Sequence, residues 1–122
     1  GQSLGEALLS PTLLYAASAI PLINDGLVKG VAHITGGGLT ENTPRMCPET
    51  LVPRIDRSAW SAADVFRWLQ ETGNIAEDEM HRTFNMGSGM VFAIAKEDAE
   101  QAVNRLESLG EQPVIIGDLA ET

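Results

Sequence analysis

Apolar residues in this chain gather in dense clusters separated by glycine, proline and charged breaks, and the spacing inside each cluster predicts its element. The stretch "YAASAIPLIN", 15 to 24, is too densely apolar for an exposed strand and predicts a helix in which Pro21 forces a kink or a late start, ended by Asp25-Gly26. "LVKGVAHIT", 27 to 35, is β-branched with few polar breaks, the pattern of a strand buried on both faces, and the glycines after it stop it. "LTENTPR", 39 to 45, has room for one or two helical turns before Pro44, and "TLVPRID" then reads as a strand whose Pro53 argues for an edge.

Ser61 followed by Asp64 resembles a capping box opening a helix that runs to about Glu71, with Val65, Trp68 and Leu69 on one face and Gly73 as the stop. "GMVFAIA", 89 to 95, is another apolar strand, and from Glu97 or Asp98 a helix carries Ala99, Ala102, Val103, Leu106 and Leu109 on one stripe, closed by Gly110. "PVIIGDL" supplies the last strand. The order of helices and strands predicts an α+β domain: a mixed sheet with covering helices, related to the split βαβ, ferredoxin-like sandwich.

Length and charge then narrow the function. The 122 residues fit one domain with a real core, and no repeat or linker-like tract divides them. Seventeen acidic residues against eight Lys and Arg give a net charge of −9, and the cations are scattered from Lys29 to Arg105, so nucleic acid is not an expected partner. Cys47 is the only cysteine, which rules out an internal disulfide and a cysteine-based metal site within one chain, and points to a cytoplasmic protein. No apolar run has the length of a membrane span and "GQSLGEALL" lacks the basic start of a signal peptide, so no membrane partner is expected.

The candidate chemistry sits in "AHITGGGLTENTPR", 32 to 45. Gly36, Gly37 and Gly38 after an apolar strand allow positive φ and convergent N–H groups, which suits a phosphate cradle, although the glycines by themselves read first as a tight turn between strand and helix. The spacing is neither the dinucleotide fingerprint nor a Walker loop. His33 and Thr35 stand at the strand's end, where α/β sheets bind ligands, although a histidine on an apolar strand also reads as a core residue. Arg45 suits a two-pronged contact to a phosphate or carboxylate, or a helix cap.

A second polar and glycine-rich stretch, "HRTFNMGSGM", 81 to 90, adjoins the other apolar strand. If the two strands lie side by side antiparallel, both loops open at one end of the sheet and line one cleft. Glu77-Asp78-Glu79 reads as a solvated turn rather than a metal site, because neighbouring residues point apart. Met80, Met86 and Met90 read as core filler, Cys47 has no nearby histidine to make it a nucleophile, and Trp60 and Trp68 anchor a helix to the sheet.

Taken together, "GLVKGVAHITGGGLTENTPR", "SAWSAADVFRWLQETGNI", "EMHRTFNMGSGMVFAI" and the final "IIGDL" closely resemble the C-terminal domain of the phosphoribosylformylglycinamidine cyclo-ligase (aminoimidazole ribonucleotide synthetase) family, from "LGEALLSPT" to Gly117. The resemblance implies an ATP-dependent ligase of purine biosynthesis that closes formylglycinamidine ribonucleotide to aminoimidazole ribonucleotide. It implies that residues 1–122 are the substrate-binding domain of a two-domain enzyme, which is a homodimer when full length. ATP and Mg²⁺ would be bound mainly by an N-terminal domain that is the partner of this one, so the fragment alone is expected to be inactive.

Carried onto these residues, the resemblance places His33 through Gly38 at the substrate cleft between the two domains; the chemistry of the residues then gives His33 a catalytic role, Thr35, Gly36, Gly37 and Gly38 contacts to a phosphate or polarised oxygen, Asn42 and Arg45 the orienting of the substrate, and Asn85 and Gly87 the opposite lip of the cleft, with no metal ligand among them. The chain departs from the family at "PTLLYAA", where Leu13 and Ala17 replace a usual Arg and Lys, and at Ser88. Two other readings stay open: a related enzyme such as formylglycinamide ribonucleotide amidotransferase or selenophosphate synthetase, and a stand-alone anion-binding module.

Overall fold

The computed structural model describes residues 2–122. Its elements are α1 (Leu4–Leu8), α2 (Ala16–Asn24), β1 (Val28–His33), α3 (Gly38–Asn42), β2 (Leu51–Ile55), α4 (Asp64–Gly73), α5 (Glu77–Thr83), β3 (Met90–Ile94), α6 (Ala99–Ser108) and β4 (Gly117–Glu121). Short 3₁₀ turns fill Thr43–Met46, Arg57–Ala59 and Lys96–Asp98. The α+β class holds, but the strands do not join in one mixed sheet. They form two antiparallel ribbons, β1 with β3 and β2 with β4.

The β1–β3 ribbon is a partition between two cores. Leu22, Leu27, Ala102 and Leu106, from α2, the start of β1 and α6, pack with Val28, Phe92 and Ile94 of the ribbon. Ala32, Ile34, Leu39 and Val91 pack with Met46, Ile55, Trp60 and Ile116. Burial on both faces is therefore achieved in the ribbon's middle, whereas Lys29 and His33 are exposed.

Several elements differ from expectation for local reasons. Ser61 and Asp64 form no capping box: α4 starts later, with Ala63 at its cap and Asp64 in the first turn, where a carboxylate suits the helix dipole. Its stop is Asn74, left-handed at φ 49°, with the Ile75 N–H donating to the Gln70 carbonyl; Gly73 is the last helical residue. The acidic run is not a turn but the first turn of α5. The final strand begins only at Gly117, and Ile115 is exposed, because pairing with β2 fixes the register. The true capping box, Ser3 with Glu6, opens α1.

Met80 and Met86 are core residues as expected, at 0% and 5% exposure. Trp60 sits in the second core and donates from Nε1 to the Met86 carbonyl (2.9 Å). Trp68 is exposed and anchors nothing to a sheet.

Candidate functional site

The two glycine loops meet at one end of the β1–β3 ribbon. Antiparallel register sets His33 opposite Met90, and one step beyond, the Ile34 N–H donates to the Gly89 carbonyl (2.9 Å). Residues 35–38 leave the ribbon where residues 85–89 enter it, as the antiparallel arrangement requires.

The first loop is shaped by the three glycines and by Asn42. Gly37 and Gly38 take φ of 102° and 62°, conformations that disfavour any side chain. Gly38 is further confined: a Cβ there would lie 1.9 Å from the His81 carbonyl and 2.6 Å from that of Phe84. Gly36, by contrast, faces open space. Asn42 is 2% exposed, and its Nδ2 donates to the carbonyls of Thr35 (3.2 Å), Gly36 (3.2 Å) and Gly38 (2.9 Å).

Carbonyls of the loop are thus gathered onto Asn42, while the N–H groups of Thr35, Gly36 and Gly37 have no acceptor among the described residues. Backbone amides left open in this way are the groups from which anion-binding concavities are built. Two of the expected contacts change. The Gly38 N–H is not free, because it donates to the Thr35 carbonyl (2.9 Å). Asn42 faces inward and holds the loop rather than meeting a ligand, since a fully buried amide that satisfies three carbonyls has no donor left for a guest. The Glu41 carboxylate also lies against Gly37, where an added Cβ would meet Oε2 at 2.6 Å.

His33 is exposed and not a core residue. Its ring meets that of Tyr15 edge-on, with centroids 6.1 Å apart. The Tyr15 hydroxyl in turn occupies the place a Gly89 side chain would take, and burial, then the Glu111 carboxylate, push its pKa up. Glu111 accepts from the Ser18 hydroxyl (2.7 Å). Thr35 and Gly36 are exposed beside this pair, and Arg45 is exposed with no ion-pair partner among the described residues.

The second loop is a tight left-handed turn. Met86 and Gly87 take φ of 53° and 92°, the Ser88 N–H donates to the Asn85 carbonyl, and the Gly87 N–H donates to Asn85 Oδ1 (2.9 Å). Asn85 therefore shapes its own loop with its oxygen, leaving its Nδ2 without an acceptor among the described residues. The turn reading and the lip reading of this stretch are compatible.

Two open depressions, of about 420 and 220 Å³, share Arg57 and His81 and include none of His33, Gly36, Arg45 or Asn85, so the single cleft expected between the loops is not one of them. His81, which the residue pattern did not single out, is the buried histidine: 5% exposed, Nε2 3.2 Å from Glu77 Oε1, and edge-on to Trp60. The Gln70 amide, then the His81 ring and the Arg57 charge, hold the Glu77 carboxyl below its ordinary value. The i, i+4 spacing from Glu77 to His81 was the available signal, visible only once 77–83 is read as a helix. Among the described residues no three His, Cys, Asp or Glu converge on a metal-binding geometry. Leu13 and Ala17 are exposed on the segment leading into α2 and on its outer side.

Comparison with protein families matches residues 1–122 to the one described as "AIR synthase related protein, C-terminal domain". Among curated proteins, the chain is 49% identical over 121 residues to a phosphoribosylformylglycinamidine cyclo-ligase of Cupriavidus pinatubonensis, covering 99% of this chain and 35% of that protein. A protein of the same name from Lactobacillus delbrueckii subsp. bulgaricus is 46% identical with the same coverage. A bifunctional purine biosynthetic protein of Schizosaccharomyces pombe is 49% identical over 118 residues, 97% of this chain and 15% of that protein. The chain spans about a third of the length of the cyclo-ligases it matches.

Proposed function

Because this chain belongs to the AIR synthase related, C-terminal domain family, we propose that it is the substrate-binding domain of an ATP-dependent cyclo-ligase that makes aminoimidazole ribonucleotide from formylglycinamidine ribonucleotide. The observation that carries this reading is identity near one half over almost the whole chain to proteins of that name. The glycine loop supports it from the residues: open amides at Gly36 and Gly37, beside the exposed imidazole of His33, suit an anionic oxygen.

When bound, ATP supplies a phosphoryl group to the formyl amide oxygen, and that group leaves as phosphate when the amidine nitrogen closes the ring. This chain's residues bind and orient. The amides of Gly36 and Gly37 and the Thr35 hydroxyl hydrogen-bond a phosphate or polarised oxygen, and Arg45 adds charge. His33 donates a hydrogen bond or moves a proton at the ring nitrogen facing the substrate, with Tyr15 fixing the plane of the ring. Asn85, through Nδ2, and Gly87 form the opposite lip. Asn42 keeps the loop in its open-amide form.

Among the described residues no cluster of His, Cys, Asp or Glu suits Mg²⁺, and in this reading ATP and Mg²⁺ are held mainly by an N-terminal domain of the same polypeptide, which also makes the homodimer. Among the described residues no helix is long and apolar enough to cross a membrane, and the lone cysteine of these 122 residues supports a cytoplasmic location. The ferredoxin-like description is supported by the antiparallel β1–β3 pair with α2 and α6 covering one face.

The test is substrate-dependent phosphate release by the full-length protein with formylglycinamidine ribonucleotide and ATP. Ring closure is expected, and the fragment alone is expected to give none. Release only with a different acceptor would move the assignment to a related enzyme, and full-strength anion binding without turnover would favour a binding module.

A further inference from the structure

From Ala7 to Asn24 the chain has no charged residue, although the whole sequence carries 25 in 122. Charged side chains are thus missing from a segment that is largely surface. Leu8, Leu9, Leu13, Leu14, Ile20 and Ile23 are 49 to 91% exposed.

The exposure has a geometric order. On α2, Ser18, Ala19 and Leu22 are buried, on the side that packs against α6. Ala16, Ala17, Ile20 and Ile23 follow helical spacing on the opposite side and face solvent. A helix apolar on all sides belongs in an interior, so the outer side of α2 lacks its covering. Leu9, Leu13 and Leu14 extend that apolar surface along the irregular segment before α2, where the N–H groups of Thr12 to Tyr15 have no acceptor among the described residues. Six large apolar side chains exposed within sixteen residues, with no charge among them, are the composition of an interaction site.

We infer that the outer side of α2 and residues 8–14 form the docking face for the domain that precedes this one in the same polypeptide. The occupant follows from length: the matched relatives are nearly three times as long as this chain, and the matched family is a C-terminal domain. Tyr15 ends the segment and touches His33, so the docked domain would border the glycine loops. The inference rests on the two-domain reading for the occupant's identity and not on the reaction catalysed.

The experiment uses the full-length protein with Cys47 and every cysteine outside residues 1–122 changed to Ser as background, and places a single thiol at Ile20→Cys, or at Thr72→Cys on the exposed side of α4 as control. Thiol labelling at position 20 is expected to be at least about tenfold slower than at position 72, independent of protein concentration. A second measurement needs no substitution: hydrogen exchange of the Thr12–Tyr15 amides in the wild-type full-length protein is expected to be slowed by a similar factor. Equal labelling together with unprotected amides overturns the inference. Protection lost on dilution, in step with dissociation of an oligomer, also overturns it and assigns the face to a second copy. A full-length polypeptide with no preceding domain overturns it before any labelling, whereas loss of cyclo-ligase activity with protection intact refutes only the proposed reaction.

Discussion

Replacing Asn42 by Ala separates a loop-holding side chain from a ligand-touching one. Nδ2 has two hydrogens and three carbonyls at 2.9 to 3.2 Å, and the residue is 2% exposed. Two net hydrogen bonds at about 0.5–1.5 kcal/mol each contribute roughly 1–3 kcal/mol. The cavity left by the truncated side chain adds about 1 kcal/mol. The expected loss is roughly 2–4 kcal/mol, a fall in melting temperature of about 10 °C or more for a domain of this size.

Asn42→Asp should cost more at neutral pH, because a buried carboxylate would face the same three carbonyls. Burial and those dipoles raise the new group's pKa in the folded state above its unfolded value of about 3.9. The extra penalty is therefore absent below that value and grows as pH rises above it, so the Asp variant should recover towards the Ala variant in acid. Urea unfolding followed by tryptophan fluorescence reads both variants, with an unchanged slope expected. An Asn42→Ala chain within about 0.5 kcal/mol of the parent would refute the assignment of this side chain to the loop's interior.

Gly38→Ala should destabilise the chain by more than about 3 kcal/mol, through positive φ and contact with two fixed carbonyls, while Gly36→Ala should stay within about 0.5 kcal/mol; thermal unfolding of both compares them. In the full-length enzyme Gly36→Ala should nonetheless raise KM for the phosphorylated substrate, which steady-state kinetics would detect. Gly89→Ala should push out the flexible end of Tyr15 without unfolding the domain, moving the His33 ring resonances in an NMR spectrum that otherwise changes little. Glu77→Gln should lower stability slightly, by under about 0.5 kcal/mol, because the Glu77 carboxylate is itself well exposed to solvent. The wild-type advantage is present above the ordinary carboxyl value near 4.5 and is lost as pH falls through the lowered folded value, which denaturation at several pH values would show.

The parts of the fold legible in the sequence were those set by local patterning. β1, β3 and α6 announce themselves through β-branched runs and a five-residue apolar stripe, and Gly37 and Gly38 through the strand they end. What was hidden depends on partners far along the chain. The ladder from Leu51 to Glu121 joins residues seventy apart, so neither its register nor the split into two ribbons could be read locally. The acidic start of α5 looks like solvated turn sequence, and with it went His81 and its link to Glu77. At the candidate site the loop residues were correctly brought to one end. The inward direction of Asn42 was not legible, because an asparagine's side of a helix is set by what packs around it.

The ribbon between the two cores also acts as a gauge of fit. Its one face carries Gly30, Ala32, Val91 and Ala93, narrow enough that Met46 comes to 3.4 Å of where a Gly30 side chain would stand; the other carries Val31, Phe92 and Ile94. Sliding β3 by a single residue would swing Phe92 into the thin side and leave a hollow under α6. Such unequal faces give the two glycine loops a common origin that cannot drift, so the spacing between His33 and the turn at Met86–Gly87 is inherited from side-chain volumes well away from both.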